Sequence, residues 1–208
     1  MRTRLRWGKK LHQLIADPKP VLPILEALKD DPELYVRRSV ANNLNDLSKD
    51  HPGLVIVRCG EWYRDEKPQR VTLVKQALRG LIKAGDPAAL TVVGFAPPEN
   101  IHVMFTVSAP EISIGEAIEL TAKITSQAAK TQPLLVDYIV HFVRKNDKQG
   151  VKVFKWKALE LDPGDNVIIT KKHAFKPTTV RALYPGTHRL ELQINGVLLA
   201  STAVELRE

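Results

Sequence analysis

The 208-residue sequence contains a single cysteine, Cys59, so no disulfide can form within the chain, and a reducing compartment is expected. No run of apolar residues approaches the roughly 20 needed for a membrane-spanning helix, so no membrane partner is expected. The opening MRTRLRWGKK is basic but is not followed by an apolar stretch, so a secretory signal is not expected and a cytoplasmic location is. Ligand spacing for a metal is also missing: His12, His51, His102, His141, His173 and His188 are scattered with respect to one another and to Cys59. Gly53, Gly60, Gly80, Gly85 and Gly94 lack the spacing of a phosphate-cradling loop and the strand that precedes one, and no G-x-S-x-G elbow occurs. Neither a metal nor a cofactor is expected, which argues against hydrolysis by a metal or by an activated serine. Cys59 itself reads as a small buried apolar residue.

What is present is a soluble globular composition, 44% hydrophobic and 26% charged, in a chain long enough for two domains with separate cores. The formal net charge is +8, unevenly spread. Residues 1–97 hold 17 Lys and Arg against 11 Asp and Glu; residues 98–208 hold 14 against 12. A basic first half suits a polyanion, nucleic acid foremost, although a modest basic bias is also what an ordinary solvated surface carries.

That first half is punctuated at Asp17-Pro18, Asp31-Pro32, His51-Pro52, Lys67-Pro68 and Asp86-Pro87, each followed by an apolar-periodic segment of helical length. Alternate prolines stand 34, 36 and 35 residues apart. Such a step predicts stacked helix pairs, HEAT-like rather than tetratricopeptide, because the fixed Trp, Gly and Tyr pattern of the latter is missing. The segment from Asp30 to Pro52 is the most informative of these. Asp31 is placed to cap it, Pro32 suits its first turn, and Asp50 is placed to cap the helix after it. At 100° per residue, Val36, Val40, Leu44 and Leu47 fall within about 80° of arc, a buried stripe. Arg38, Asn42, Asn45 and Lys49 are expected on the solvent side. Ser39, Asn43, Asp46 and Asp50 form a third row at the edge of the stripe, half-buried, where a carboxylate can act on a bound group. A second helix, from about Gln69 to Lys83, has its seam at Val71, Val74, Leu78, Leu81 and Ile82, with Lys75, Arg79 and Lys83 along one flank. Aligned cations of this kind meet successive phosphates, or simply solvate a flank.

Ala96-Pro97-Pro98-Glu99-Asn100 is a stiff linker, which divides the chain into a helical domain at 1–96, a linker at 97–100 and a second domain at 101–208. Beyond the linker the period changes from 3.6 to 2. Ile118, Leu120, Ala122 and Ile124 alternate with polar residues, as do Val136, Tyr138, Val140 and Phe142, and then Leu190, Leu192 and Ile194. Asn195-Gly196 is a two-residue hairpin turn. With segments near 101–107, 151–157, 166–174 and 197–206, about seven strands are expected, an immunoglobulin-like count. His188 occupies the place of the corner tyrosine of such domains, two residues before the inward Leu190. The fold class is therefore α+β in two domains: a HEAT-like α-α solenoid fragment followed by an immunoglobulin-like β-sandwich.

Among groups able to do chemistry, Asp46 leads, beside the supporting polar residues Ser39 and Asn43; on spacing alone a hydrogen bond to a neighbouring helix end is the favoured explanation of it. Trp7 lies among Arg2, Arg4, Arg6, Lys9 and Lys10, a mixture that stacks on a base or sugar while cations hold phosphates, or else anchors a helix. Trp62, Tyr63 and Trp156 read as packing residues.

Three strings, RLRWGKKL, PVLPILEALKDDPELYVRRSVANNLNDLSKDHP and QALRGLIKAGDPAALTVVGF, resemble the AlkC branch of the HEAT-like DNA alkylation-repair glycosylases. They cover nearly all of residues 4–97, and some members of that family also carry an immunoglobulin-like C-terminal domain. The resemblance implies excision of N3-methylated purines such as 3-methyladenine from duplex DNA, by cleavage of the N-glycosidic bond. Asp46 matches the family's carboxylate in N-D-L/I-x-K-D-H-P, and Trp7 the aromatic of R-L-x-W-G that contacts the lesion or its sugar. Arg4, Arg6, Lys9, Lys10, Arg38, Lys75, Arg79 and Lys83 are the DNA-binding candidates. Family members have further helical repeats upstream of R-L-x-W-G, so this chain corresponds to a C-terminal portion. An upstream segment or a second polypeptide is then expected to complete the solenoid. The alternative is a non-catalytic DNA-binding or protein-interaction module on the same scaffold.

Overall fold

Why the first half folds as short helices is visible in its prolines. In the computed structural model, which describes residues 10–145, 149–179 and 182–208, helix α1 spans His12–Ala16 and a 3-10 turn, Lys19–Val21, leads into α2, Leu22–Leu28. Then come α3, Leu34–Leu47, α4, Pro52–Tyr63, α5, Pro68–Ala77, α6, Arg79–Ala84, and α7, Pro87–Val92. Pro52, Pro68 and Pro87 each open a helix, where the missing N–H costs nothing. Asp86 caps α7 by accepting from the Ala89 amide at 2.9 Å. Successive helices pack as hairpins, α3 on α4 and α4 on α5, and alternate ones meet side by side, α3 on α5 and α4 on α7. The helices thus lie in two layers, with Val40, Leu44, Leu47, Val55, Leu73, Val74 and Leu90 buried between them. Cys59 is fully buried here, and burial pushes its thiol up to about 12.

Several local expectations are corrected. Asp31 does not cap α3: the N-cap is Glu33, and the Asp31 carboxylate accepts the Glu33 amide at 2.8 Å in the turn before it. Pro32 therefore belongs to that turn rather than to the helix. The N-cap of α4 is His51, not Asp50. The single helix expected over 69–83 is interrupted at Leu78, although the Leu78 and Ile82 amides still bond to Val74 and Leu78 carbonyls at 2.9 Å. The Gly80 amide at the start of α6 donates to Asn45 Oδ1 at 3.2 Å. A Cβ on Gly80 would stand 3.1 Å from that oxygen, so glycine is what lets α6 come this close to α3.

Arg70 is a buried cation of the helical unit. Its guanidinium grips both oxygens of Asp30, with Nε at 2.6 Å from Oδ1, and also pairs with Asp65. One side chain on α5 thereby ties the turn after α2 to the turn after α4. The hydrogen bonds from Arg70 hold the Asp30 carboxyl below its ordinary range despite some burial. A second junction joins α2 to α4: Trp62 Nε1 donates to Glu26 Oε2 at 2.9 Å, and Lys29 lies over the Trp62 ring.

The described residues of the second half form eight strands: β1, Ile101–Val107; β2, Glu111–Ser113; β3, Ala117–Ser126; β4, Gln132–Val143; β5, Gln149–Leu161; β6, Asn166–Ala174; β7, Gly186–Ile194; and β8, Val197–Arg207. They form two sheets, ordered β1-β3-β6 and β2-β8-β7-β4-β5. The extra strand, β2, is three residues long and pairs parallel to β8, too short to show an alternation in sequence. Inward residues of both sheets make the core, including Ile118, Leu120, Ile124, Val136, Val140, Leu190, Leu192 and Ile194. Asn195 and Gly196 both take positive φ, 46° and 83°, as their two-residue turn requires. The Asn195 side chain then pins the incoming chain, donating to the Ala96 and Pro133 carbonyls at 2.7 and 2.9 Å and accepting from the Leu135 amide at 2.7 Å. Compact units divide at Gly94 and Phe95, so the proline-rich segment clusters with the sandwich.

His188 takes over the corner. It is fully buried, its Nδ1 is 2.9 Å from the Gly186 carbonyl, and the Val143 amide donates to Nε2 at 3.4 Å. Nδ1 must then carry the proton and the ring is neutral. Burial pushes its pKa below the ordinary value, against the opposing pull of the Gly186 carbonyl and of Glu205.

Two outcomes are expected. Arg70→Met leaves Asp30 and Asp65 without their shared partner and lowers unfolding free energy by about 2–3 kcal/mol, less than a fully buried pair because both acids are partly exposed; urea melts measure it. Because the folded state disfavours protonated His188, its contribution is intact above about pH 6.5 and is lost as pH falls from there through the folded-state value. His188→Phe should flatten that part of the stability–pH curve relative to the unsubstituted chain.

Candidate nucleic-acid site on the helical unit

Helix α3 is enclosed on two sides, and this decides where its polar residues go. Val40, Leu44 and Leu47 are buried as expected, Val36 partly so. The face expected in solvent is only partly there. Arg38 and Lys49 are exposed, but Asn45 is buried against α6, and Asn42 Oδ1 accepts from Gln76 of α5 at 3.2 Å. The third row divides: Ser39 is exposed, Asn43 and Asp46 are buried, and Asp50 is intermediate. Ser39 is therefore not part of a half-buried group with Asp46; it lies nearly two turns earlier, where α3 faces water.

Asp46 is only 3% exposed and lies in the last turn of α3, with Lys49 Nζ at 3.0 Å from Oδ1. A carboxylate is badly placed there. The helix dipole presents its negative end to it, a cost of about 0.3–1 kcal/mol, and burial adds desolvation. Lys49 is itself more than half exposed, so water screens this pair. A fixed, sheltered anion of this kind suits stabilisation of a developing positive charge.

His51, immediately beyond this turn, was not singled out by sequence reasoning. Its Nε2 lies 2.6 Å from the Ile15 carbonyl, fastening the end of α1 to the α3–α4 junction. The chain segment leading from Lys10 into α1 is thus held at the helix end that carries Asp46. The signal was present as His51-Pro52, but a histidine before a proline reads first as turn punctuation. Arg4, Arg6, Trp7 and Lys9 lie outside the described residues; Lys10 is described and exposed.

Lys75, Arg79 and Lys83 are all exposed, but the row crosses the break at Leu78, with Lys75 on α5 and the other two on α6. Arg79 Nη1 donates to the Gln76 carbonyl at 2.5 Å. Arg38 lines a cleft of about 340 Å³ between α3 and α5, with Leu34, Arg37, Gln69, Thr72 and Gln76; Asp46 is not among its lining residues. Among the described residues no group of three or more His, Cys, Asp or Glu side chains could hold a metal ion. No helix among them is long and apolar enough to cross a membrane.

The family model described as the C-terminal immunoglobulin-like domain of the uncharacterised protein YhaZ matches residues 102–208. The chain is 39% identical over 196 residues to the uncharacterized protein YhaZ of Bacillus subtilis (strain 168), covering 94% of this chain and 54% of that protein. Among solved structures it is similar to the alkylpurine DNA glycosylase AlkC of Pseudomonas fluorescens, bound to DNA containing an abasic site analog. That match has 38% identity and a TM-score of 0.94, over 100% of this chain and 58% of the other. The chain thus spans little more than half the length of either protein.

Removing the fastening should loosen the site before it unfolds the unit. His51→Ala is expected to cost about 1 kcal/mol and to speed amide exchange around Ile15 to Asp17, leaving exchange in α5 unchanged. Equal acceleration in both places would mean that His51 supports the whole unit instead.

Proposed function

The chain belongs to the AlkC-type DNA glycosylase family, and from that membership we infer that it is the C-terminal portion of an enzyme of DNA alkylation repair that excises N3-methylated purines from duplex DNA. The observation that carries this reading is the buried carboxylate of Asp46 in the last turn of α3, at the negative end of the helix dipole, in a chain 38% identical along its whole length to a DNA-bound alkylpurine glycosylase. The two-layer helical unit is read as part of a HEAT-like solenoid. A helical segment outside this sequence, upstream or on a second polypeptide, completes the groove that holds the duplex.

N3-methylation makes the base cationic, so it departs as a neutral leaving group when the bond from the sugar C1′ to the base nitrogen breaks. The deficit left behind is positive charge on the sugar. Asp46 is assigned to stabilise that oxocarbenium-like sugar and to orient the water that adds to C1′, whose proton passes to the carboxylate or to solvent. Asn43, buried one turn earlier on the same side of α3, supports the site. Trp7 is assigned to contact the lesion or its sugar. Arg4, Arg6, Lys9, Lys10, Arg38, Lys75, Arg79 and Lys83 are assigned to phosphates, of which the last five are described and exposed.

The test is release of 3-methyladenine from methylated duplex DNA by the protein carrying its complete solenoid. Asp46→Asn is expected to reduce release by about 10²–10³-fold while duplex affinity changes little. Undiminished release by the substituted protein would remove Asp46 from the chemistry. Salt-sensitive binding with no release by the unsubstituted protein would establish the other reading, a non-catalytic DNA-binding module.

A further inference from the structure

Lys49 bridges two environments at the end of α3. Its Nζ stands 3.0 Å from Asp46 Oδ1, with the lysine side chain 54% exposed and the aspartate side chain 5%. The Lys49 amide also donates to the Asp46 carbonyl at 3.4 Å, so the pair closes within one turn at the helix end. It therefore ties no two elements together. Arg70 shows the contrast, because it is buried and binds Asp30 and Asp65 from two separate turns. A cation beyond the last turn of a helix is favourable in itself, since it faces the negative end of the dipole. That benefit needs only positive charge near the helix end, not an ammonium set directly against a buried carboxylate.

The pairing conflicts with the chemistry assigned to Asp46. The sugar at the reacting centre becomes positive, and an ammonium 3.0 Å from the carboxylate has the same sign. Held there while the bond breaks, it would offset the stabilisation that Asp46 provides. Before the duplex arrives the requirement is the reverse. A bare anion repels an approaching polyanion, and a buried one bears a desolvation cost. Lys49 meets both requirements because it is the mobile half of the pair, a hydrated point charge with rotatable donors on a flexible stem. A second partner is close by in the complex, since the phosphates flanking the reacting nucleotide are bonded to the sugar that Asp46 faces. The cationic base of the lesion brings a positive charge to replace the one that leaves.

We propose that Lys49 is a counter-ion of Asp46 that the duplex displaces: it neutralises the carboxylate in the free protein and moves to a phosphate flanking the lesion in the complex, leaving the Asp46 charge to the sugar. This rests on the excision reading of Asp46 and adds a condition to it, because the anion is uncovered only when a phosphate backbone and a positive charge are both in place.

The test uses the protein carrying its complete solenoid and a duplex with a cationic pyrrolidine in place of the target sugar, which keeps positive charge at that point and is not cleaved. Affinity is measured across a salt series for the unsubstituted protein, Lys49→Met and Lys49→Arg, with each flanking phosphate in turn replaced by a neutral methylphosphonate. Lys49→Met should reduce the slope of log affinity against log salt by about 0.9, one phosphate contact, and Lys49→Arg should restore it. One of the two methylphosphonates should weaken binding by the unsubstituted protein but not by Lys49→Met, the coupling expected of two groups in contact. In release of 3-methyladenine, Lys49→Met should raise the concentration needed for half-maximal rate and leave the rate at saturation little changed. Methylphosphonate penalties equal in the two proteins overturn the proposal. A lower saturated rate with an unchanged salt slope assigns Lys49 to holding Asp46 in place, and a lower melting temperature as the sole effect makes it a helix-end cation; either overturns it. Absence of release by the unsubstituted protein overturns the excision reading and this proposal with it, whereas active release with equal penalties overturns this proposal alone.

Discussion

Enclosure of α3 on two flanks is the constraint on which the helical unit depends. A helix with one apolar face can send its polar residues to water, but α3 meets α4 on one side and α5 and α6 on the other. Each polar group it buries must then be matched locally. Asn45 answers by accepting the Gly80 amide, which satisfies one free N–H at the start of α6 and uses the absence of a side chain there. Ser48 Oγ turns back to the Asn45 carbonyl at 3.0 Å. Arg70 does the same work from the neighbouring helix, drawing two acidic turns onto one guanidinium. These contacts are geometrically exacting, so they fix how far each helix slides along the next.

The same logic separates what the sequence made legible from what it hid. Prolines and apolar periodicity located the helices because both act over one or two turns and need no partner. Alternation located seven of the eight strands for the same reason, and Asn195-Gly196 identified its hairpin because only a few residue types tolerate two positive φ values in a row. The misses involve partners distant in sequence. Asn45 was placed in solvent because nothing within its own helix reveals that α6, 35 residues on, covers it. Asp31 and Asp50 looked like caps because each stands one or two residues before a proline that suits a first helical turn, and whether such a carboxylate becomes the N-cap depends on neighbouring packing. Strand β4 was legible on its inward face only. Its outward Asp137, Ile139 and His141 are buried too, with His141 held by Glu191 at 2.6 Å, an arrangement that depends on β7.

For the site, legibility was limited in a different way. Asp46 could be picked out as anomalous, but spacing alone favoured a structural hydrogen bond over a chemical role, and only the family resemblance reversed that weighting. The structure makes the anomaly sharper. Ser39, its supposed companion, is exposed, while Asn43 and Asp46 are withdrawn from water at the end of the helix least suited to an anion. His51 was overlooked because its role depends on a carbonyl 36 residues earlier.

Placement of the cations follows from the opposite consideration. A buried carboxylate gains function from being held rigidly, because stabilising a short-lived positive charge depends on a dipole or charge already in place. Phosphate-binding cations gain from exposure and freedom, since the backbone they meet is a repeating line of like charges and the favourable term is the release of its counterions. The chain contains a buried carboxylate and exposed cations. Asp46 is on a helix fixed by long-range hydrogen bonds, whereas Lys75 and Lys83 are exposed. The net charge of +8 is therefore a poor guide taken whole. The sandwich half is nearly neutral in sum, yet it separates its charges along β5 and β6 so that one edge is strongly basic, and it is local separation of this kind, not the total, that sets the field at a surface.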